Sequence, residues 1–307
     1  MTLAFSLRSV QVAEFGVGRD DAGGQTFYLV PVDADVQAAL QEVAADTWDA
    51  MRKLSDDPPK YQPSEKHESS EYVYLPIGDD LAEPLRQLHQ ATNLPMDVTA
   101  LSDPAKVFCY FARMTDKQGR RLTAVRRATQ FKGILKSRLI RIVTDALRIV
   151  EDSVFKLDSD FDLLIDNTKV HILRPSGFEF VGELQQAVLA AAPANVKALR
   201  GDLPFVDLDL IENYATKHPR AARYLASIRA LKATKDIDKG YLKKQCKATG
   251  VEIEEAKGKI TVQDGHVMGF LEVLDRRRYE VELVKGSPER FRAASRRKLG
   301  TEGGGNT

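Results

Sequence analysis

Cysteine is scarce in this chain, and the cysteines that occur lie far apart. Cys109 and Cys246 are the only two among 307 residues, and neither belongs to a CxxC motif. Two distant thiols cannot form a disulfide framework, and they cannot complete a zinc site by themselves. We therefore expect both cysteines to be reduced and buried.

Long hydrophobic runs are also missing. No apolar stretch approaches the roughly 20 residues that a membrane-spanning helix needs. The N-terminal sequence MTLAFSLRSV lacks the basic start and long apolar stretch of a secretory signal. Because 43% of the residues are hydrophobic and 29% are charged, the composition is typical of a folded soluble protein, and we expect a cytoplasmic one.

The common motifs of cofactor binding and nucleophilic catalysis do not occur. The stretch GVGRDDAGG contains Gly16 and Gly18 but lacks the third glycine of a dinucleotide loop, and there is no P-loop lysine motif or GxSxG. The five histidines occur singly, none in an HExxH pair, at His67, His89, His171, His218 and His266. We expect no cofactor, no metal site and no enzymatic activity.

The charge of the chain is balanced overall but divided along its length. The net charge is +1, yet residues 1–105 carry 7 basic and 18 acidic side chains, whereas residues 106–148 carry 12 basic and 2 acidic ones. A polyanion would therefore be repelled by one part of the chain and attracted by another.

The pattern of elements predicts an α+β fold, with a mixed or antiparallel sheet and hairpins in the N-terminal half and a helix-rich C-terminal half. The sequence QTFYLVPV predicts a strand, and a helix capped by Asp35 is expected to end near Leu54. The proline-rich segment Ser55 to Glu71 is expected to be a mobile loop that is too polar to pack. Further strands are expected at 106–114 and 120–129.

The expected domain division places an α+β domain, with an acidic first part and a basic hairpin, at residues 1–150. A second domain is expected at 151–299, because domains commonly contain about 100–150 residues. The glycine-rich end, residues 300–307, is expected to be disordered.

Three aspartates alternate with apolar residues in SDFDLLIDNTKVHIL. The alternation predicts a half-buried strand with Asp160, Asp162 and Asp166 on its solvent face, followed by a tight turn and a partner strand. The alternative is a metal-dependent nuclease site completed by Glu255 and Lys257, but the further ligands that such a site requires are not evident.

The strongest candidate binding site is the arginine-rich stretch from Arg113 to Arg141, in which Asp116 is the only acidic residue. Arginine binds phosphate oxygens in a bidentate manner, so we expect largely sequence-independent DNA contact here. The predicted DNA-binding residues are Arg113, Lys117, Arg120, Arg121, Arg126, Arg127, Lys132, Lys136, Arg138 and Arg141. Alternatively, these side chains pair with the acidic N-terminal part, within one chain or across a dimer.

Reversing Arg120, Arg121, Arg126 and Arg127 to Glu is expected to abolish DNA binding and leave the fold intact. A second basic region, which could equally be a solvated face, comprises Arg276, Arg277, Arg278, Arg290, Arg292, Arg296, Arg297 and Lys298.

The order of segments from Lys106 to Phe291 resembles the KwaB-like family of the bacterial Kiwa anti-phage defence system. The stretches that carry the resemblance are FDLLIDNTKVHILRPSGFEFV with its Phe178-Glu179 pair, LIENYATKHPRAARYLASI, GVEIEEAKGKITV and MGFLEVLDRRRYEVELV. Residues 1–105 do not contribute to it.

The resemblance implies an antiviral effector that binds phage DNA and acts with a transmembrane KwaA-like subunit at the inner membrane. It would block phage replication and transcription rather than catalyse a known reaction. We also expect a homodimer. A non-DNA-binding assembly adaptor remains the other alternative.

Overall fold

The computed structural model describes residues 2–22, 24–68, 71–128, 140–143, 146–149, 158–231 and 234–295. These residues form two compact units: unit 1 contains the residues up to 61 and those from 68 to 184, and unit 2 contains 62–67 and the residues from 185 onward. Residues 150, 151 and 300–307 lie outside the described part, so the predicted domain boundary and tail stay predictions.

Unit 1 is built on a seven-stranded antiparallel sheet. Its strand order is β2-β1-β4-β5-β8-β9-β3, so the early strand β3 pairs with the much later β9. The strands are β1 Val10–Asp21, β2 Gly24–Val30, β3 Val73–Pro76, β4 Val107–Asp116, β5 Arg121–Arg127, β8 Leu163–Ile165 and β9 Lys169–Ile172. A separate two-stranded hairpin consists of β6 Ile140–Val143 and β7 Ala146–Ile149.

Helix α1, Ala34–Leu54, packs on this sheet through a stripe of buried residues. Leu40, Thr47 and Met51 are fully buried, at spacings that place them on one helix face. The helix begins two residues earlier than predicted, because Asp33 rather than Asp35 accepts a hydrogen bond from the Val36 N–H. The Thr47 hydroxyl accepts a hydrogen bond from the Phe161 N–H at 2.8 Å, which joins α1 to the chain just before β8.

The predicted hairpin between β4 and β5 is present. Asp116 closes it, since its Oδ1 accepts hydrogen bonds from the N–H groups of Gln118 and Arg120, each at 2.9 Å. Gly119 has a φ of 72°, a conformation that glycine adopts without steric cost. The turn after β8 is also present, because Asp166 accepts from the Thr168 N–H at 2.8 Å.

The prediction that residues 55–71 form a mobile, unpacked loop is wrong. Tyr61 is 1% exposed, and its N–H donates to the Tyr74 carbonyl at 2.8 Å. Its hydroxyl donates to Glu179 Oε1 at 2.7 Å, and its ring lies edge-on to Phe178 with centroids 4.9 Å apart. Backbone pairing and one buried aromatic side chain thus offset the polar composition of this segment.

The Phe178-Glu179 pair lies on a helix that the sequence did not predict. Helix α3, Pro175–Val181, begins with proline at its first position, where the missing N–H has no cost. With α2, Glu83–Gln90, it completes the helices of unit 1 among the described residues.

Unit 2 is predominantly helical, as predicted. Its helices are α4 Leu184–Asp202, α5 Asp209–Ala215, α6 Pro219–Ala230, α7 Lys239–Ala248 and α8 Val267–Leu274. Two hairpins accompany them, formed by β10 Ile253–Ala256 with β11 Lys259–Val262 and by β12 Arg278–Val284 with β13 Ser287–Arg292. The α+β prediction, with hairpins first and helices later, is confirmed. None of the helices in the described ranges is long and apolar enough to span a membrane.

Candidate anion-binding sites

The arginines of the β4–β5 hairpin are largely engaged inside unit 1. Arg113 is 3% exposed; its Nη2 lies 2.9 Å from Glu14 Oε2, and its Nη1 donates to the Ala91 carbonyl at 2.7 Å. Arg121 Nη1 donates to the carbonyls of His89 and Ala91 at 2.8 and 2.9 Å. Both carbonyls lie at the C-terminal end of α2, where the helix dipole favours a cation.

Arg126 is surrounded by three aspartates. Its guanidinium lies 3.2 Å from Asp158, 3.0 Å from Asp160 and 2.8 Å from Asp162, and 15% of its side chain is exposed. Burial alone would lower the pKa of Arg126, but the carboxylates, with Asp162 first, raise the pKa above its ordinary value. Arg126 is thus a positively charged structural link in unit 1.

The remaining described residues of this stretch differ in exposure. Lys117 is exposed at the hairpin tip, and Arg120, 43% exposed, pairs with Asp116 at 2.7 Å. The Arg127 guanidinium carbon lies 3.8 Å from the centre of the Phe180 ring, in a cation–π contact. Lys132, Lys136 and Arg138 lie outside the described residues, and so does the side chain of Arg141, so their predicted role stays a prediction.

The interpretation of Asp160, Asp162 and Asp166 as a solvated strand face is wrong for Asp162 and Asp166, while Asp160 is partly exposed and lies in ion pairs. Asp162 is 3% exposed and Asp166 is fully buried. Asp162 Oδ2 accepts a hydrogen bond from the Arg127 N–H at 2.8 Å. All three residues of β8 are buried because this strand lies inside the sheet, between β5 and β9, where side chains on both faces are covered.

The acidic residues of the nuclease alternative are engaged in ion pairs. Asp160 contacts Arg126 and Arg174, while Glu255 lies 2.5 Å from Lys239 Nζ and 2.7 Å from Lys243 Nζ. The two lysines lower the pKa of Glu255 to about 2. Among the described residues, no group of three or more His, Cys, Asp or Glu is placed to hold a metal ion.

A second concentration of positive charge lies in unit 2, around Glu272 of α8. This carboxylate is 4% exposed and faces three guanidiniums: Arg220 at 3.5 Å, Arg278 at 3.6 Å and Arg292 at 3.6 Å. The single carboxylate of Glu272 therefore lies among three guanidinium groups and keeps them close to one another. Of the second basic region, Arg278 and Arg292 belong to this group, Arg276 and Arg290 are exposed, and Arg296, Arg297 and Lys298 lie outside the described residues.

Beside this group, unit 2 contains a cavity of about 430 Å³, which we call the cationic cavity. Three stretches of the chain line it: residues 63–66, the first turns of α6, and residues 292–294. Four of its lining side chains are basic and one is acidic, namely Lys66, Arg220, Arg223, Arg292 and Glu65. The other lining residues are Pro63, Ser64, Tyr224, Ala293 and Ala294.

Arg277 fixes the geometry of the cationic cavity. Its guanidinium is 1% exposed, lies 2.7 Å from Asp275 Oδ2, and donates to the carbonyl and hydroxyl oxygens of Ser64 at 2.9 Å each. The same guanidinium also donates to the Ala294 carbonyl. Since Ser64 and Ala294 lie in two different walls of the cavity, one buried side chain connects both.

Sequence reasoning missed part of this site. Arg277 and Arg292 were recognised as basic, but Lys66, Arg220 and Arg223 were not singled out, because they lie outside both basic stretches, 113–141 and 276–298. One available signal is the spacing of Arg220, Arg223 and Ser227, which places them on one face of a predicted helix.

The antiparallel sheet of unit 1 and the helices of unit 2 define a two-unit α+β protein with a cationic cavity. The chain belongs to the KwaB-like family: residues 105–283, more than half of its length, match the family described as "Kiwa protein KwaB-like". Membership confirms the resemblance and indicates a component of the Kiwa anti-phage defence system. No curated protein and no solved structure matches the chain.

Proposed function

We propose that this chain is a non-catalytic component of a Kiwa defence system that binds DNA through its phosphates. The observation that carries the proposal is the cationic cavity, where four basic side chains face one acidic side chain. Contacts to phosphate position a protein on DNA without reading bases, so binding is largely independent of sequence.

The cationic cavity is a better candidate for the contact than the described part of the β4–β5 hairpin. Arg220 and Arg292 are 59% and 61% exposed, so a phosphate can reach them at little cost in desolvation. Arg113 and Arg126 are 3% and 15% exposed and already have carboxylate partners. Lys117 and Arg120 at the hairpin tip are accessible and supply a secondary contact.

The salt dependence of DNA affinity tests this proposal. A 30-base-pair duplex with phosphate at both 5′ ends is titrated at several salt concentrations, in two unrelated sequences. Because binding releases the counterions of the phosphates that the cations neutralise, log K is expected to fall linearly with log salt. The triple variant Lys66→Gln, Arg220→Gln, Arg292→Gln is expected to make that slope shallower.

The control is Arg200→Gln, which removes a cation from unit 2 away from the cationic cavity. Arg200 is 42% exposed and pairs with Asp209 and Glu212, so its loss should leave the slope unchanged. Equal slopes for the parent and the triple variant would show that the cationic cavity does not hold the DNA. Absence of binding to either duplex would refute DNA binding itself.

The proposal includes a cytoplasmic homodimer that a transmembrane KwaA-like subunit recruits to the inner membrane. Support comes from the family, whose defence role implies an assembly. Co-expression with a transmembrane KwaA-like protein should move the chain into the membrane fraction, and sedimentation of the purified chain should give the mass of a dimer. If the chain stays out of the membrane fraction, the proposed recruitment by the KwaA-like subunit is refuted. If sedimentation gives the mass of a monomer, the proposed homodimer is refuted.

The non-catalytic part of the proposal has its own test. Incubation with plasmid DNA and Mg²⁺ or Mn²⁺ should leave the plasmid intact. Cleavage that disappears in a variant with Asp160, Asp162 and Glu255 changed to Ala would instead support the nuclease alternative.

A further inference from the structure

The basic side chains of the cationic cavity outnumber the carboxylates near them. Six cations lie in or beside it: Lys66, Arg220, Arg223, Arg277, Arg278 and Arg292. In the described part of the chain, the carboxylates of Glu65, Glu272 and Asp275 line the cavity or contact these cations, and two of them contact the buried Arg277. The surplus of positive charge indicates a ligand that carries more than one negative charge.

Glu272 orients the arginines without using their full hydrogen-bonding capacity. Its distances to Arg220, Arg278 and Arg292 are 3.5, 3.6 and 3.6 Å, whereas a direct charge-assisted hydrogen bond is about 2.7–2.9 Å. A guanidinium has five N–H donors. Arg220 and Arg292 therefore keep donors that can turn toward a ligand while Glu272 holds the side chains nearby.

The size of the cationic cavity restricts the ligand further. Its volume of about 430 Å³ is near the lower end of the range of about 300–1,000 Å³ that is usual for small-molecule sites. Hydrogen bonds from Arg277 to Ser64 and Ala294 hold two walls of the cavity in place. Such a site has room for one nucleotide-sized group with its phosphate.

We infer that the cationic cavity binds a terminal phosphate monoester, either at the end of a DNA strand or on a free nucleotide, in preference to an internal phosphodiester. A monoester carries about −1.5 to −2 charges at neutral pH and three acceptor oxygens, whereas each internal phosphate carries one charge. The monoester thus matches both the surplus charge and the several available donors. This inference rests on the proposed function, of which it specifies the ligand.

Fluorescence anisotropy with labelled duplexes of one sequence tests the inference, with the 5′ ends either phosphorylated or hydroxyl. We expect at least about ten-fold tighter binding of the phosphorylated duplex, the effect of one further charge-assisted hydrogen bond. The preference should vanish in Arg220→Gln/Arg292→Gln and in Lys66→Gln, and persist in Arg200→Gln. Thermal unfolding of each variant verifies that the fold is retained, and Lys66→Gln leaves the Glu272 contacts untouched.

Competition with deoxyadenosine 5′-monophosphate and with deoxyadenosine identifies the source of the phosphate. Displacement of the phosphorylated duplex by the nucleotide but not by the nucleoside supports the monoester site. Equal affinity for phosphorylated and hydroxyl duplexes overturns the inference while DNA binding stands. Binding of the nucleotide without binding of either duplex supports the site with a free nucleotide as its ligand and refutes the proposed function.

Discussion

Arg277 and Ser64 are 213 residues apart in the chain, yet the guanidinium of one donates to both oxygens of the other at 2.9 Å. The contact places the short segment 62–67 within unit 2, although its neighbours in sequence belong to unit 1. The Ser64 hydroxyl in turn donates to Asp275 at 3.0 Å, and it also forms a hydrogen bond of 2.7 Å with the Ser227 hydroxyl. This buried network supports the wall of the cationic cavity that carries Lys66.

Changing Arg277 to Met is expected to destabilise the protein by about 3–5 kcal/mol, because it leaves the carboxylate of Asp275 buried without its cation. Asp275 is fully buried, so solvent cannot replace the lost partner. The free energy of unfolding in urea measures the effect. Arg290→Met is the matched control, since Arg290 is 57% exposed and a surface change should stay within about 0.5 kcal/mol. Equal stability of the two variants would contradict the structural role.

Changing Arg126 to Glu is expected to unfold unit 1 or destabilise it by about 3–5 kcal/mol. The new carboxylate would face Asp158, Asp160 and Asp162 at the distances now occupied by the guanidinium. Lys117→Glu reverses a charge on the same hairpin but at an exposed position, and should change stability by at most about 0.5 kcal/mol. Circular dichroism during thermal unfolding distinguishes them, and a folded Arg126→Glu protein of parental stability would contradict this argument.

That prediction replaces the earlier expectation that reversing four hairpin arginines leaves the fold intact. In the variant with all four arginines changed to Glu, unfolding would abolish DNA binding as readily as the loss of a direct contact would. Lys117→Glu is the usable test of the hairpin tip, because Lys117 is exposed, whereas Arg120 pairs with the buried Asp116.

Local pattern predicted those elements whose signal lies within a few residues. The stretch QTFYLVPV identified β2, the helix expected to end near Leu54 is α1, and the strands expected at 106–114 and 120–129 are β4 and β5. The alternation of acidic and apolar residues predicted strand β8, but it did not predict that both faces of the strand are buried. Whether the outward face meets water depends on the strands and helices that distant parts of the chain supply.

The cationic cavity could not be predicted from local sequence patterns either, because distant parts of the chain form it. Lys66 lies in a proline-rich segment, Arg220 at the start of a helix and Arg292 in a hairpin strand, and each alone is an ordinary surface cation. Only the buried contacts of Arg277 with Ser64 and Ala294 place these stretches around one space. Charge along the sequence drew attention to 106–148, where the cations are dense but, in the described part, mostly paired.

Gly177 is expected to tolerate no side chain, because a Cβ at this position of α3 would lie 2.7 Å from the Cβ of Asp162 and against its carboxylate. Gly177→Ala should cost about 1–3 kcal/mol of stability, the usual penalty for overpacking a core. Gly201→Ala is the control on another helix, where the added Cβ meets nothing within 4 Å, so it should stabilise by about 0.5–1 kcal/mol. Urea unfolding of both variants measures the two effects, and equal signs would refute the argument.

Asp166 should make the stability of unit 1 depend on pH in the acidic range. Burial would raise its pKa, but hydrogen bonds from His171, Thr168 and the Ala4 N–H hold the pKa well below the ordinary value of 3.8. Because the unfolded chain binds the proton more readily, this carboxylate stabilises the fold above about pH 4, and the contribution is lost as the pH falls through the depressed folded pKa.

Asp166→Asn removes that ionisable group and tests the prediction. At pH 7 we expect a loss on the order of 2–3 kcal/mol, since the amide cannot replace a charged acceptor for several donors. Below about pH 4 the difference from the parent should shrink, because the parent then loses its own carboxylate contribution. Denaturant unfolding from pH 7 to pH 3 gives both curves, with the exposed substitution Asp264→Asn as control. A constant offset between the Asp166→Asn and parental curves over this range would mean that Asp166 does not supply the pH dependence.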